Sequence, residues 1–447
     1  MSRTTVRAGA DLERAARERP TAPAAERITP DERRDVDFDV VVVGGGAAGI
    51  GAAVSAADAG ATVCLIEQYG FLGGAATASS VLTHCGFFDQ TRTQVVGGVG
   101  QQVLDRLEAR DLYQTETFPA TGNTVVLLDL ETTKSVYDDL VTDAGVTLLL
   151  HSRVIAASVA GGRVTDVTID HRGGRETVTG RSFVDCSGDG VLLVAAGAGV
   201  QVSDVAARQA STLVMRVGGV AEDADLSAGA LSTAVLAYRE RSGAQLPRES
   251  GVAVRMPLSR EVMLLLADQH RDVLDVHELT AAETTARRLS WQYLHAFQQG
   301  LAGWQDSYLA ATGPQIGIRE SRRLAGVETV VADDVTTGRR RPEDGVARCG
   351  WPMEDHATPG LTVYGGIRDK GWYDIPYGAL CSADTDNLWA GGRLVSSDPR
   401  AYSSLRVMGT SFATGQACGA AAVVHADLDR HDTAAVRELL TKQGALL

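Results

Sequence analysis

The chain opens its first clear pattern with an apolar run, Phe38-Asp-Val-Val-Val-Val43, that breaks into glycine and resumes as an Ala-rich stretch. A second apolar run over 61–66 ends on Glu67. Short continuous apolar runs bounded by turn residues predict buried strands, and the longer stretch between them predicts a helix. Strands without polar alternation are those covered on both faces, as in a parallel sheet. Further along, the pattern predicts helices at 99–109 and 130–144, the latter stopped by Gly145. Strands are expected at 125–129, 146–150 and 153–160, and a hairpin pairs 163–170 with 176–184 around His171-Arg-Gly-Gly174. An apolar strand near Phe183 breaks into Gly188-Asp-Gly190, and a short helix follows at 191–196.

From 206 to 353 the strand–helix alternation is lost. A strand at 212–217, a helix at 228–242, an antiparallel pair at 252–256 and 262–266, and a long helix at 281–300 read as an inserted α+β unit. The chain then returns with a strand and turn at 387–393, a helix at 404–425 and another at 432–441. Residues 1–36, rich in Arg, Glu, Ala and Pro, read as a mobile tail with some helix at 11–19.

The first break carries chemistry. Gly44, Gly46 and Gly49 hold the glycine places of a G-x-G-x-x-G motif between strand and helix, and Glu67 ends the next strand. The hexapeptide alone is weak evidence, but this context makes it strong. Gly44 permits the turn, Gly46 lets backbone N–H groups approach a pyrophosphate, and Gly49 lets the helix pack closely. The first helical turn offers unpaired N–H groups and the positive dipole end to phosphate. Glu67 can accept hydrogen bonds from both ribose hydroxyls, and its charge would repel a 2′-phosphate. FAD or NAD is therefore expected, not NADP.

Composition narrows the class. The formal charge of −14 excludes a broad basic surface for nucleic acid or anionic membrane. The six cysteines include no C-x-x-C pair, so no metal or iron–sulfur site is expected. The first 36 residues hold no apolar signal segment and no stretch approaches a membrane span, so a cytoplasmic protein is expected.

Several segments together resemble a known group: 41–77, 145–154, 183–198, 315–326, 373–380 and 387–422. They are similar to FAD-dependent oxidoreductases of the glutathione-reductase-type Rossmann superfamily, among them relatives of the heterodisulfide reductase flavin subunit. The resemblance implies an α/β fold. An FAD-binding Rossmann domain would be split into 37–205 and 354–447, around an inserted substrate or cap domain at 206–353. It places Gly44, Gly46, Ala47, Ala48 and Gly49 on the pyrophosphate, Glu67 at the ribose, Gly73 and Gly74 on the flavin side, and Val154 at adenine, with Gln68 also among the cofactor-binding residues. Gly188 would lie in a turn passing the cofactor, with Gly392 and Arg393 at the ribityl–phosphate region. Arg406 and Val407 would approach flavin O2 and N1 at the start of the 404–425 helix. An Arg and a helix N-terminus there would stabilise the negative charge of reduced flavin. Unlike the heterodisulfide reductase branch, this chain lacks cluster cysteines.

Catalytic candidates follow from residue type and place. His356 could take a substrate proton as hydride leaves. Arg319 could orient a carboxylate, and Tyr373 could donate a hydrogen bond. His84 and Cys85 are candidates for covalent flavin attachment, and Ser411, Gly415, Gly419 and Ala422 form one small-residue helix face. Gly371-Trp-Tyr-Asp-Ile-Pro376 is a false likeness to the halogenase W-x-W-x-I-P signature, because glycine and tyrosine hold the two Trp places. The expected activity is hydride transfer between a small organic metabolite and flavin, with electrons passed to oxygen or another acceptor. A flavin monooxygenase and a non-catalytic flavoprotein within a complex are the alternatives. The expected partner is a small-molecule substrate, with room for a homo-oligomer or an electron-transfer protein.

Overall fold

The computed structural model describes residues 37–447, so the expected tail at 1–36 and its helix at 11–19 lie outside the described residues. β1 (Asp37–Val43) runs into α1 (Ala47–Asp58), and β2 (Val63–Ile66) returns parallel to β1, with Val40 beside Val63 and Val43 beside Ile66. β3 (Thr147–Leu149) continues this parallel set next to β2. β4 (Arg153–Ala160), β5 (Arg163–His171) and β6 (Gly174–Asp185) form an antiparallel meander that includes the expected hairpin. The sheet order is β3-β2-β1-β6-β5-β4. β6 is long enough to serve twice: its first half pairs with β5 and its last residues run parallel to β1. β1 lies at the centre of the parallel part, and Val40–Val42 are fully buried, which is why its run shows no alternation.

The chain after β2 carries two short strands that the apolar pattern did not predict, beside the one expected at 125–129. Thr83–Cys85, Thr124–Leu127 and Gln114–Thr117 form a small antiparallel sheet beside the main one. Strands this short have no room to show a period.

The inserted unit is a four-stranded antiparallel sheet backed by two helices. In chain order these are β7 (Ser211–Gly218), α2 (Ala228–Ser242), β8 (Val252–Arg255), β9 (Val262–Gln269), α3 (Val276–Gly300) and β10 (Tyr308–Thr312), with sheet order β8-β9-β7-β10. Leu213, Met215, Val217, Val262, Leu264 and Leu266 face the helices and form a separate apolar cluster with them. α3 starts earlier than expected because Asp275 caps it, accepting the N–H groups of His277 and Glu278. The separate cluster ends at Ile318. Val330, Val335, Val346 and Trp351 belong instead to the main core. Packing thus changes over well before the expected limit at 353.

β11 (Leu388–Ala390) then joins the sheet parallel to the end of β6. The single helix expected at 404–425 is two helices, α4 (Pro399–Leu405) and α5 (Met408–Leu428), which meet at 96°. Asp398 caps α4 with Pro399 in its first turn, and Val407 is extended between the two helices. The small-residue face of α5 packs on α1. A Cβ at Gly415 would fall 1.9 Å from the Ala48 carbonyl oxygen, and one at Gly419 would fall 2.2 Å from that of Ala52. Among the described residues no single helix is long and apolar enough to cross a membrane.

Candidate active site

One cavity of about 1270 Å³ runs from the glycine turn after β1 to the open face of the inserted sheet. That exceeds the roughly 300–1,000 Å³ typical of a single small-ligand pocket. Every cofactor residue expected from the sequence lines it except Gly49.

The three motif glycines do different things. Gly44 has φ +97°, and a Cβ there would lie 2.6 Å from the Cys186 carbonyl oxygen. A Cβ at Gly49 would lie 1.7 Å from the Gly44 carbonyl oxygen, so Gly49 serves helix–strand contact and not the cavity. A Cβ at Gly46 would meet nothing nearer than the Gly74 Cα at 3.7 Å. The space beside Gly46 is therefore cavity, and no side chain caps α1 there. Gly74, at φ +52°, faces Gly46 so closely that its own Cβ would be 3.0 Å from the Gly46 Cα.

Glu67 is buried at the end of β2, its Oε2 accepting the Gly45 N–H at 2.6 Å and its Oε1 the Tyr69 N–H at 2.8 Å. Burial raises its pKa against those bonds. It thus holds the glycine turn in place, and each oxygen keeps a lone pair for a ligand hydroxyl. Gln68 and Val154 line the same end of the cavity. Arg393 lies against Gly188, where a Cβ would be 2.4 Å from its Nη2, and donates to the Ile318 carbonyl at 2.7 Å and Asp189 at 3.2 Å. Gly392, Val407 and Met408 complete this wall.

The opposite end is polar and largely buried. Glu320, wholly buried, accepts from Arg323 at 2.5 Å, Ser203 at 2.7 Å and the Gln209 N–H at 3.0 Å. This anchors the segment from which Arg319 reaches the cavity. Arg319 Nη1 donates to the Ala210 carbonyl at 2.6 Å and Thr212 Oγ1 at 2.5 Å, and stands 4.0 Å from Asp268. Asp268 accepts from Thr212 and, at 2.9 Å, from Arg248. Arg248 also donates to Thr362 Oγ1 at 2.9 Å.

His356 sits beside this group. Its Nδ1 is 3.2 Å from Thr362 Oγ1, and its Nε2 is 3.4 Å from Glu354 Oε1. Burial first, then the Arg319 and Arg406 charges, pull its pKa down to about 4 against the pull of Glu354. Burial would raise the Glu354 pKa, but the His356 hydrogen bond, the Arg406 charge and the Trp351 N–H outweigh it and hold it at about 2. At neutral pH the pair is therefore a carboxylate beside a neutral imidazole. The bonding assigns the hydrogen to Nε2, facing Glu354, and leaves Nδ1 as the base. Arg406 Nη2 donates to the Glu354 carbonyl at 3.0 Å. Its residue caps the end of α4, and the helix N-terminus at the cavity begins after Val407.

Two expectations fail on geometry. Tyr373 is fully buried, its hydroxyl 2.9 Å from Ser404 Oγ, and it does not line the cavity. It is a core residue. His84 is buried against Tyr137, with its Nε2 2.8 Å from the tyrosine hydroxyl, and does not reach the cavity either. Burial pushes its pKa down to about 3. Cys85 does line the cavity, and burial pushes its thiol up, away from the reactive thiolate. Arg248, Asp268, Glu354 and Thr362 escaped the sequence reading. The signal present was Glu354 two places before His356, and Asp268 near the end of a mostly apolar strand. Outside the cavity, Asp386, His425 and His431 bring ligand atoms within 4.8 Å of one another. Arg163 stands 3.6 Å from Asp386 there and already supplies a positive charge.

The family model described as FAD dependent oxidoreductase matches residues 39–441. The chain belongs to this family, and its cofactor is FAD. The aerobic glycerol-3-phosphate dehydrogenase of Staphylococcus epidermidis is 38% identical over 71 residues, 15% of this chain and 13% of that enzyme. The alpha-glycerophosphate oxidase of Streptococcus pyogenes serotype M3 is 29% identical over 120 residues, 25% of this chain and 20% of that protein. These matches span only a small part of either relative. A geranylgeranyl bacteriochlorophyll reductase-like protein from Thermoplasma acidophilum shares the fold, with TM-score 0.50 and 14% identity over 91% of this chain and 83% of that one. The residues present fit FAD. The space beside Gly46 and the uncapped start of α1 suit a pyrophosphate, and the cavity is long enough to continue past Arg393 to the start of α5.

Proposed function

We propose that the protein oxidises a small organic metabolite, with His356 as the proton acceptor. The observation that carries this reading is the buried His356, its Nε2 3.4 Å from Glu354, within the same cavity as the FAD cradle. FAD, when bound, supplies the hydride acceptor. Glu354 holds the imidazole in the tautomer with Nε2–H, so Nδ1 keeps its lone pair. Thr362 Oγ1, 3.2 Å from Nδ1, lines the cavity and relays a substrate hydroxyl or amine proton to it. Arg248 fixes that hydroxyl by donating to it. Once His356 is protonated, the Glu354 carboxylate stabilises the imidazolium. The start of α5 directs its N–H groups and dipole at the cavity, which favours negative charge there. Gly46, Ala47 and Ala48 would hold the pyrophosphate and Glu67 the ribose. The released electrons pass to oxygen or a separate acceptor.

The test is anaerobic. Purified holoenzyme is mixed with a panel of hydroxy acids, amino acids, alcohols and phosphorylated alcohols, and the visible absorption of the flavin is followed. Bleaching by a donor, lost in His356→Ala with FAD retained, is the expected result. Bleaching by NADPH and by none of the organic donors would replace this reading with a monooxygenase.

A further inference from the structure

Resting on the reading above, we infer that the substrate carries an oxyanion, a carboxylate or a phosphate monoester, gripped between Arg319 and Arg406. Its apolar body lies along the inserted sheet.

The argument begins with charge. The polar end of the cavity holds three guanidinium groups, Arg248, Arg319 and Arg406, against two carboxylates, Asp268 and Glu354. With His356 neutral, one positive charge is left over. Donor accounting shows where it sits. All three Arg248 nitrogens are used, on Ser250, Asp268 and Thr362, so Arg248 is framework. Arg319 donates through Nη1 alone, to a carbonyl and a hydroxyl. Arg406 donates through Nη2 alone, to a carbonyl, and its Nε is buried with no acceptor among the described residues.

The two carboxylates cannot make up the deficit. Asp268 spends its oxygens on Thr212 and Arg248 and stays 4.0 Å from Arg319. Glu354 spends its own on Trp351, Tyr364 and His356, and offers Arg406 only its main-chain carbonyl. Burying a charged donor without an acceptor is costly, and such groups in native proteins call for a partner. The Arg319 and Arg406 charges also disfavour each other, and burial together with Arg406 pulls the Arg319 pKa down to about 10. An oxyanion between them gives the unused guanidinium donors an acceptor and offsets that repulsion. Next to them the cavity wall turns apolar, through Val214, Val252, Val254 and Leu265. A ligand filling both parts has an anionic head and an apolar body.

The probes are benzoate, phenyl phosphate and benzyl alcohol, which share a ring and differ in the head. Each is titrated by calorimetry into the oxidised holoenzyme. One of the two anions should bind about tenfold or more tighter than benzyl alcohol, the gain of a charge-assisted hydrogen bond. Preference for benzoate or for phenyl phosphate identifies the head as carboxylate or phosphate. Arg319→Met and Arg406→Met should each weaken the anion about tenfold and leave benzyl alcohol binding unchanged, with affinities taken per bound FAD. Equal binding of anions and alcohol by the wild-type holoenzyme overturns the proposal, whether or not the variants fold. Anion selectivity in a holoenzyme that no organic donor bleaches supports the anion site and sinks the oxidation reading. Bleaching by neutral donors without anion selectivity does the reverse.

Discussion

The two ends of the cavity are built by opposite means. At the cofactor end the ligand meets backbone: the Gly44–Gly46 turn, the start of α1 and the Gly73–Gly74 loop. Side chains there mostly support the main chain, as Glu67 does by accepting the Gly45 N–H. At the other end the cavity is lined by charged and polar side chains, Arg319, Glu354, His356 and Arg406, delivered by three segments and fixed largely by one another. A backbone cradle needs glycines at close spacing and serves any pyrophosphate. A side-chain cluster draws residues from distant parts of the chain and serves one substrate. Binding and specificity are thereby separated within one cavity.

The comparison breaks most sharply at the glycines. Gly46→Asp should abolish FAD binding and leave the fold intact, because the new side chain enters open cavity and places a charge where the phosphates belong. Gly49→Ala should instead damage the fold, since its Cβ would overlap the Gly44 carbonyl. Overpacking of this kind costs about 1–3 kcal/mol or more. Flavin content and thermal melting of the two variants test the division. Colourless but folded Gly49→Ala, with unfolded Gly46→Asp, would invert it.

At the other end, His356→Ala should lower kcat/KM by about 10²–10⁴-fold with full FAD content, the usual contribution of a positioned base. The pH profile sharpens this assignment. A base must be neutral, so kcat/KM should fall only as pH drops through about 4, below the ordinary histidine range. Glu354 raises the His356 pKa, so Glu354→Gln should move this acid limb lower still, while Arg406→Met should move it higher. The same depression links to stability. Between the ordinary histidine pKa and about 4 the unfolded chain takes up a proton that the folded one refuses, so stability declines as pH falls through that window. An acid limb in the ordinary histidine range would remove His356 from the role.

Smaller effects close the series. Glu67→Ala should weaken FAD less than Gly46→Asp does, because charge-assisted hydrogen bonds are worth about 1.5–3 kcal/mol each. Equilibrium dialysis of the flavin ranks the two. Tyr373→Phe should cost about 0.5–1.5 kcal/mol of stability, one buried hydrogen bond to Ser404, and leave kcat unchanged. A large loss of kcat with normal melting would return Tyr373 to the site.

The strand–turn–helix at 37–66 was legible because its physics is local. A buried strand needs an unbroken apolar run, a turn under a phosphate needs glycine, and the residues concerned are neighbours in the chain. The same holds for the hairpin around His171, for α2 and for the position of β11. Where neighbours did not decide, the reading went astray. Ser404–Arg406 looked like the start of one long helix, but α4 is set by its Asp398 cap, and the chain turns before α5 so that Gly415 and Gly419 can lie on α1. Tyr373 looked like a donor because polar tips suggest sites. Only packing shows that its hydroxyl meets Ser404 inside the core.

The sequence by itself determined the cofactor end: the dinucleotide-binding strand–turn–helix and Glu67 follow from spacing within one short segment, and the resemblance to FAD-dependent oxidoreductases implied most of the other residues lining the cradle. The substrate end was decided by tertiary structure. Asp268 lies near the end of a strand of the inserted sheet, Arg319 follows β10, and the Glu354–His356 pair lies beyond it, so no spacing relates that pair to Asp268, Arg319 or Arg406. Their roles depend on burial and on which acceptors are already taken. Those are properties of the folded surroundings: they hold the His356 pKa low and leave Arg319 and Arg406 with donors to spare.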